Sequence, residues 1–380
     1  MTIYLDNNAT TRVADEVIAA MTPYYREHFG NAHAIHSLGR RSHDAVEESR
    51  GGVARLLGCE PSEVIFTSCG TEGNALVIRG LLDRDPSRRK VVTTSVEHPS
   101  VLTLLRALER AGQIELAVVP VDEEGAIDLD AMQAAIDDRT LLVSVMLAQN
   151  ETGVIHPVAK IGGLAHARGA LLHVDAVQAA GKIPVDQREL DADFITISGH
   201  KFHAPKGVGA LTIRKGLTLQ PLWYGGGQEL GLRSGTEPVP SIVGLATAAR
   251  LASEALSSFD AVRTLRDRLE AELAAIGETS VNGRTQPRLG NTANISFHDV
   301  AADELVRALD RDGVCVSAGA ACHSGKVEPS GTMKAMHKPL RVAMGAVRFS
   351  LSRYTTEPEI AAAVAAVTRH VAELRRGVAV

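Results

Sequence analysis

The sequence predicts an α/β protein with two units: a large one on a mainly parallel sheet flanked by helices, and a smaller α+β one. Between about residues 60 and 215, short β-rich runs alternate with helical patterns, as in a parallel sheet with helices on both faces. Residues 141–147 and 171–174 are nearly all apolar, which is typical of strands covered on both faces. The alternation stops at the Gly- and Pro-rich stretch 225–240, which indicates a boundary loop.

Each element follows from its local pattern. β-rich runs bounded by turn residues predict strands at 64–67, 91–95, 116–119, 141–147, 171–174, 194–198, 209–213 and 292–297. Apolar residues at helical spacing predict helices at 100–111, 158–168, 302–310 and 357–376, and one or two long helices within 241–276. The last helix opens with a capping box from Thr356 to Glu359. We predict two domains, 13–250 and 1–12 with 251–380.

Composition excludes several classes of protein. The chain of 380 residues is 45% hydrophobic and 22% charged, as in an ordinary globular protein and unlike a mainly disordered one. Its 45 acidic and 40 basic residues argue against nonspecific nucleic-acid binding. Four scattered cysteines without a CxxC pair argue against a disulfide scaffold and against a structural zinc site. The absence of a signal-peptide pattern and of a long apolar run predicts a cytoplasmic protein without a membrane span.

A lysine and a carboxylate follow two of the predicted strands. Lys201 comes just after strand 194–198, and Asp175 closes strand 171–174; open α/β sheets place ligands at such strand ends. Lys201 alone reads more simply as a solvated loop residue, and Asp175 as a helix N-cap. Together, a Schiff-base lysine and a carboxylate for a ring nitrogen are the minimal set of a pyridoxal-phosphate enzyme.

Other polar residues fall at the same edge of the predicted sheet. A small-residue turn after strand 64–67 leads into a helix, whose first N–H groups and Thr71 Oγ1 would hold a phosphate. His98 is either a hydrogen-bonded loop residue or a group that stacks on a cofactor ring and moves protons. The polar residues at or just beyond strand ends are Thr71, His98, Asn150, Asp175, Gln178 and Lys201. Chance would seldom align so many there.

With these residues in place, the chain resembles the cysteine desulfurases of the nitrogen-fixation and iron–sulfur-cluster type (NifS/IscS-like), in the class V aminotransferase group. The resemblance runs from YLDNNATT at the N-terminus to VRFSLSRYTTE, and its other segments are FTSCGTE, VEHPSVL, NETG, HVDAVQ, SGHKFHAPKG and RSGTEP. As an ordered set these segments are specific. The resemblance implies fold type I of the pyridoxal-phosphate enzymes, with the nucleophile loop in the smaller domain.

The resemblance also implies roles for individual residues. Lys201 would form the Schiff base with pyridoxal 5'-phosphate, Asp175 would pair with the ring nitrogen, and His98 would stack on the ring and assist proton transfer. Gln178 and Asn150 would contact the ring hydroxyl. The expected phosphate ligands are Gly70, Thr71, Ser198, His200 and, from the partner subunit of a homodimer, Thr236. Arg348 would clamp the substrate carboxylate, and Asn31 would help to orient the substrate.

The expected nucleophile is Cys322, in SAGAACHSG. Its small neighbours suggest an exposed loop in which a thiolate could react, whereas Cys315 reads as a buried, apolar-like cysteine. The resemblance implies that Cys322 receives sulfur from L-cysteine as a persulfide and leaves L-alanine. No resident metal is expected, although Cys322 is a candidate transient ligand of an iron–sulfur cluster. A sulfur-acceptor protein, such as an iron–sulfur scaffold, is the expected partner.

Three alternatives stay open on the sequence. An aminotransferase shares the cofactor site but needs no nucleophilic cysteine, and a selenocysteine lyase shares nearly all of the machinery. A sulfur or metal carrier without catalysis would explain histidines such as His33 and His36, but they lack the clustered spacing of a closed metal site.

Overall fold

A computed structural model describes residues 2–85, 87–319, 321–323 and 326–377, without the side chains of 258, 321–323, 326 and 327. In chain order the described strands are β1 (Ile3–Tyr4), β2 (Val64–Thr67), β3 (Lys90–Thr94), β4 (Glu115–Val119), β5 (Thr140–Met146), β6 (Leu171–Asp175), β7 (Phe194–Ser198), β8 (Gly209–Ile213), β9 (Thr279–Val281), β10 (Thr292–Phe297), β11 (Val314–Cys315), β12 (Ser317–Ala318), β13 (Ala321–His323), β14 (Lys326–Glu328) and β15 (Ala346–Ser350). The α-helices are α1 (Asp15–Arg26), α2 (Ser37–Leu56), α3 (Gly70–Arg84), α4 (Pro99–Arg110), α5 (Leu129–Ala135), α6 (Val158–His166), α7 (Val239–Ala255), α8 (Phe259–Ala274), α9 (Ala302–Arg311), α10 (Gly331–Ala335), α11 (Leu340–Ala343) and α12 (Glu357–Gly377). Short 3₁₀ turns lie at Pro61–Glu63, Gly199–Lys201, Glu229–Gly231 and Leu256–Ser258.

The predicted large sheet is present, with the order β2-β8-β7-β6-β5-β3-β4. β4, β3, β5, β6 and β7 pair in parallel, whereas β8 runs antiparallel to both β7 and β2. β5 and β7 are buried along their whole length because helices cover both faces, which explains the apolar run of β5. The carboxyl ends of β2, β3, β5, β6 and β7 therefore meet at one edge of this sheet.

A second, smaller sheet has the order β12-β15-β10-β9 and is antiparallel. Buried residues of this sheet, such as Phe297 and Phe349, form one apolar cluster with Leu269 of α8 and Val367 of α12. Ile3 and Leu5 from the chain's start belong to the same cluster. The start of α12 shows the Glu359 half of the predicted capping box, since the Thr356 N–H donates to Glu359 Oε2, and the Thr356 hydroxyl donates to the same oxygen. The domain boundaries at 12/13 and 250/251 stay a prediction.

The predicted helical region 241–276 consists of two helices, α7 and α8, separated by the turn Leu256–Ser258. α7 packs against α1 and α2 of the large unit, whereas α8 packs against α12 and β10. Among the described residues, no helix combines the length and the apolar character needed to cross a membrane.

Candidate active site

A pocket of about 210 Å³ opens at the carboxyl ends of the parallel strands. It collects nearly all the residues that were predicted to touch the cofactor, although they come from separate strand ends. Its predicted lining residues are Gly70, Thr71, His98, Asn150, Asp175, Gln178, Ser198, His200 and Lys201. Cys69, Asn74, Ser100, Met146, Ala148 and Val177 complete the wall.

Lys201 occupies the 3₁₀ turn that follows β7. Its Nζ donates to the main-chain oxygens of Asn8 and Ala9 at 2.7 and 2.9 Å. Burial, and then the positive charge of Arg348, lowers the pKa of Lys201 to about 8, against the opposing effect of Asp175. About one tenth of this lysine is therefore a neutral amine at pH 7, and the neutral amine is the form that attacks a carbonyl.

Asp175 is the last residue of β6 and only 5% of it is exposed. Its Oδ2 accepts from Asn74 Nδ2 at 2.8 Å, and its Oδ1 accepts from the Val177 N–H at 3.0 Å. The alternative role as a helix N-cap is not realised, because a turn and not an α-helix follows β6. Two N–H donors hold an acceptor in the pocket wall, as a partner for a protonated ring nitrogen requires.

His98 caps the N-terminus of α4. Its Nδ1 accepts from the Ser100 N–H at 3.1 Å, so a neutral His98 carries its proton on Nε2. Burial lowers the pKa of His98, while Asp175 opposes that shift. The neutral ring, with Nε2–H left for the pocket, fits a group that stacks on a cofactor and moves a proton.

A second group of residues in the pocket wall is suited to a phosphate. α3 begins at Gly70, so its first N–H groups and the Thr71 hydroxyl are available there. Gly70 is needed because a Cβ at this position would lie 2.7 Å from Val177 Cγ2. Ser198 Oγ is buried and has no hydrogen-bond partner within the described part of the chain. Burial and the neighbouring lysines lower the pKa of His200 to about 4, so it is a neutral imidazole whose Nδ1 lies 3.1 Å from Thr10 Oγ1.

These residues fit pyridoxal 5'-phosphate. An amine and a carboxylate occupy one part of the wall, and a helix N-terminus with an unpartnered hydroxyl occupies another. The pocket thus supplies acceptor and donor groups for both charged ends of the cofactor.

Arg348 reaches this region from the small sheet. It is 7% exposed; its Nη1 donates to the Asn150 main-chain oxygen at 2.9 Å and its Nη2 to Asp6 Oδ1 at 2.7 Å. Its Nε has no partner among the described residues. A buried guanidinium with a spare donor, next to a residue of the pocket wall, suits the recognition of a carboxylate.

Besides Arg348, three predicted residues are not in the pocket wall. Asn31 is exposed, and its Oδ1 accepts from the His33 N–H at 2.9 Å. Thr236 is exposed in the loop before α7. The backbone of Cys322 lies in β13, opposite Val327 of β14, and its side chain lies outside what the structure describes.

The structure adds three buried residues that the sequence did not single out. Asn74 donates to Asp175, as above. Glu97 is buried and accepts from Thr94 Oγ1 at 2.6 Å and from the Met146 N–H at 3.1 Å. Burial raises the pKa of Glu97 to about 8, and the charge of Asp175 adds to that effect.

Lys182 is the third of these buried residues. It is 6% exposed and bonds to Asn8 and Gln178. Only its place six residues beyond His-Val-Asp-Ala could have drawn attention to it.

The fold and the pocket define a pyridoxal-phosphate-dependent enzyme of fold type I. The profile of the family described as Aminotransferase class-V matches residues 3–362, and the chain belongs to this family. It is 48% identical over 359 residues to "Cysteine desulfurase 2" of Trichormus variabilis, covering 94% of this chain and 90% of the relative. It is 45% identical to "Cysteine desulfurase NifS" of Azotobacter vinelandii, covering 98% of this chain and 93% of that one.

Solved structures of similar proteins have the same fold as this chain. The chain is similar to a "NIFS-LIKE PROTEIN" with a TM-score of 0.92 at 38% identity, covering 98% of this chain and 100% of the other. It is also similar to the apo structure of a cysteine desulfurase from Thermococcus onnurineus NA1, with a TM-score of 0.87 at 28% identity, covering 98% of this chain and 95% of the other. These comparisons confirm the predicted resemblance, the fold class and the cofactor.

Proposed function

We propose that the protein is a cysteine desulfurase that converts L-cysteine to L-alanine and takes up the sulfur as a persulfide on Cys322. The observation that carries this proposal is the convergence of Lys201, Asp175 and His98 in one pocket, with Arg348 beside it. The names of the relatives favour a desulfurase over a selenocysteine lyase or an aminotransferase.

Binding and orientation fall to the residues of the pocket wall. Lys201 would hold the cofactor covalently, while Gly70, Thr71, Ser198 and His200 would hold its phosphate. Asp175 would keep the ring nitrogen protonated, and Gln178 and Asn150 would contact the ring hydroxyl. Arg348 would bind the substrate carboxylate through its free Nε–H. We assign Asn31 a part in orienting substrate and Thr236 a contact to the phosphate in the partner subunit of a homodimer.

Proton transfer is assigned to Lys201 and His98. When bound, the cofactor supplies an electron-poor ring that takes up the electron pair released at the substrate Cα. The neutral amine of Lys201, favoured by burial, is the base for the Cα proton. His98 holds a proton at Nε2 on the pocket side and can return it to carbon or sulfur.

The sulfur transfer balances without an added oxidant. The Cys322 thiolate attacks the substrate sulfur, so an S–S bond forms while the Cβ–S bond breaks and its electron pair stays on carbon. That carbon then takes up a proton, giving L-alanine and Cys322–S–SH. Burial raises the pKa of Cys59 to about 12 and also raises that of Cys315, which makes both poor thiolates.

The wider setting is also part of the proposal. Exposed apolar side chains at Phe29, Ile35, Trp223, Tyr224 and Leu230 are consistent with a homodimer. A persulfide must be passed on by thiol exchange, so we infer a sulfur-acceptor protein, such as an iron–sulfur scaffold, in a reducing cytoplasm.

The deciding experiment measures alanine formed from L-cysteine with a thiol reductant, in the parent and in Cys322→Ala. Alanine from the parent and at most a trace from the variant is expected. Cys59→Ala is the matched control and should keep the parent's rate. Equal alanine from parent and Cys322→Ala would remove Cys322 from the role. No alanine from either, with the cofactor bound, would overturn the proposed reaction.

A further inference from the structure

Lys182 is a buried lysine without a carboxylate partner in the part of the chain that the structure describes. It lies in the turn after β6, and its Nζ donates to Asn8 Oδ1 at 3.0 Å and to Gln178 Oε1 at 2.8 Å. Burial, and then the charges of Lys201 and Arg348, lowers the pKa of Lys182. Neutral or charged, the amino group acts as a donor to both oxygens.

This contact and the Asn8 main-chain oxygen together decide which way the amide of Gln178 points. An amide oxygen and an amide nitrogen have nearly the same shape, so only their hydrogen-bond partners distinguish the two orientations. Because Lys182 donates, Gln178 Oε1 must face it, and Gln178 Nε2 donates to the Asn8 main-chain oxygen at 2.9 Å. The second N–H of Nε2 is then left for the pocket that Gln178 lines.

Lys182 also holds the residue that binds Lys201. Asn8 Oδ1 accepts from both Lys182 Nζ and Asn291 Nδ2, at 3.0 and 3.1 Å. Since these two donors fix its oxygen, Asn8 Nδ2 donates to Thr292 Oγ1 at 2.9 Å. The Asn8 main-chain oxygen accepts from Lys201 Nζ at 2.7 Å. One fixed asparagine thus connects the two lysines.

We propose that Lys182 is a positioning residue that orients the Gln178 amide, so that Nε2 is the donor presented to the ring-hydroxyl oxygen of the bound cofactor. The inference rests on the role proposed for Gln178 within the proposed function. Without Lys182 only the Asn8 main-chain oxygen still favours this orientation, so the amide turns over more readily. A turned amide presents its oxygen, which would repel the cofactor oxygen, where Nε2 would have donated to it.

The test is the pH midpoint of the bound cofactor's absorption in the holoenzyme without substrate. A donor to the ring oxygen favours its deprotonated form, so losing that donor raises the midpoint. We expect a rise of roughly one pH unit in Lys182→Met. The titratable and charged groups around this region are Asp6, His98, Asp175, His200, Lys201, His203 and Arg348, and all are kept in the variant.

A double-mutant cycle separates positioning from a general structural role. Gln178→Leu should raise the midpoint as well, and Lys182→Met should add little in that background, because it acts through the amide. Lys90→Met is the matched control: Lys90 is equally buried but pairs with Asp137 far along the sheet, and its variant should leave the midpoint unchanged.

Two results would overturn the inference: an unchanged midpoint in Lys182→Met, or shifts from Lys182→Met and Gln178→Leu that add in full. If Lys182→Met does not fold, Lys182→Gln is the second variant, because its side-chain amide keeps one donor. Its pH midpoint should lie between those of the parent and Gln178→Leu. A midpoint equal to the parent's, or beyond that of Gln178→Leu, counts against the inference. The readout needs no turnover, so it is independent of whether L-cysteine is the substrate.

Discussion

The loop that leads to Thr236 is anchored by a buried ion pair, and breaking that pair should destabilise the protein strongly. Arg50 donates to both oxygens of Glu229, at 2.8 and 3.0 Å, and the two side chains are only 10% and 2% exposed. Glu229 Oε2 also accepts from the Phe66 N–H at 2.7 Å. Glu229 and Leu230 both have positive φ, 49° and 57°, so the anchor holds a strained turn.

Glu229→Gln should lower the free energy of unfolding by about 3 kcal/mol. Breaking one partner of a buried pair costs roughly 3–5 kcal/mol, because the other charge stays buried. Arg50 keeps a second carboxylate, the half-exposed Glu47 at 3.0 Å, which places the cost at the lower end. Urea unfolding followed by circular dichroism measures it. Trp223, the only tryptophan, lies just before the anchor, and its fluorescence anisotropy should fall as the loop is released.

An exposed ion pair provides the control for this buried one. Glu254→Gln breaks the exposed pair of Glu254 with Arg250 and should cost at most about 0.5 kcal/mol. Arg50→Met combined with Glu229→Gln should cost about 2 kcal/mol less than the sum of the single changes, because the removed groups are partners. A cost below about 1 kcal/mol for Glu229→Gln, or full additivity, would refute the anchoring role. Weaker retention of the cofactor by Glu229→Gln would link this anchor to Thr236.

Three further predictions follow from the site and the core. Arg348→Lys should raise KM for L-cysteine by roughly 10- to 100-fold with a smaller effect on kcat, since it removes the Nε–H that would bind the substrate carboxylate; an unchanged KM in steady-state kinetics would contradict the assignment. Because the pKa of Lys201 is about 8, the rate of cofactor uptake by cofactor-free protein should rise roughly tenfold between about pH 7 and 9, and a pH-independent rate would contradict it. His156 and His173 are buried, with pKa values lowered to about 4 and about 3, so the unfolded chain takes up protons first as the pH falls below about 6.5. Each should therefore cost about 2 kcal/mol of stability at pH 5 relative to pH 7, and a flat stability in urea unfolding would show that the folded state accepts those protons.

The sequence predicted the large sheet well because its strands carry unambiguous signals. The bounds of β2, β7, β8 and β10 agree with the prediction, and those of β3 and β5 are shifted by one residue. Fully apolar runs between turn residues identify strands that are covered on both faces. The pattern of residues 241–276 predicts one or two helices and does not choose between them, since nothing local decides where a helix that changes packing partner must break.

The pocket was predictable for a different reason. A residue at the carboxyl end of a parallel strand meets its counterparts from other strands, so Thr71, His98, Asp175 and Lys201 could be grouped from their positions alone. Asn74, Glu97 and Lys182 could not be grouped in this way. Each follows a strand end by several residues or lies next in sequence to a residue with a clearer motif. What marks these three side chains is that they are polar and buried. Burial of a single polar residue is a property of the packed molecule and leaves no periodic trace in the chain.

The N-terminal segment connects the small unit to the pocket. Ile3 and Tyr4 pair with Val314 and Cys315, which joins the segment to the small unit. A few residues later, the Thr11 N–H donates to the His200 main-chain oxygen, which joins it to the turn that carries Lys201. Between these attachments, Asp6 bonds Arg348 and the Asn8 oxygen bonds Lys201.

This short segment therefore fixes Arg348 relative to Lys201. If Arg348 holds the substrate carboxylate and Lys201 takes the Cα proton, the distance between them decides whether the proton is within reach. Asp6→Ala removes one of the two acceptors of the Arg348 guanidinium without touching the pocket wall. It should lower kcat/KM for L-cysteine and leave the absorption of the bound cofactor almost unchanged. The same loss together with an altered cofactor spectrum would mean that Asp6 acts on Lys201 and not on the substrate.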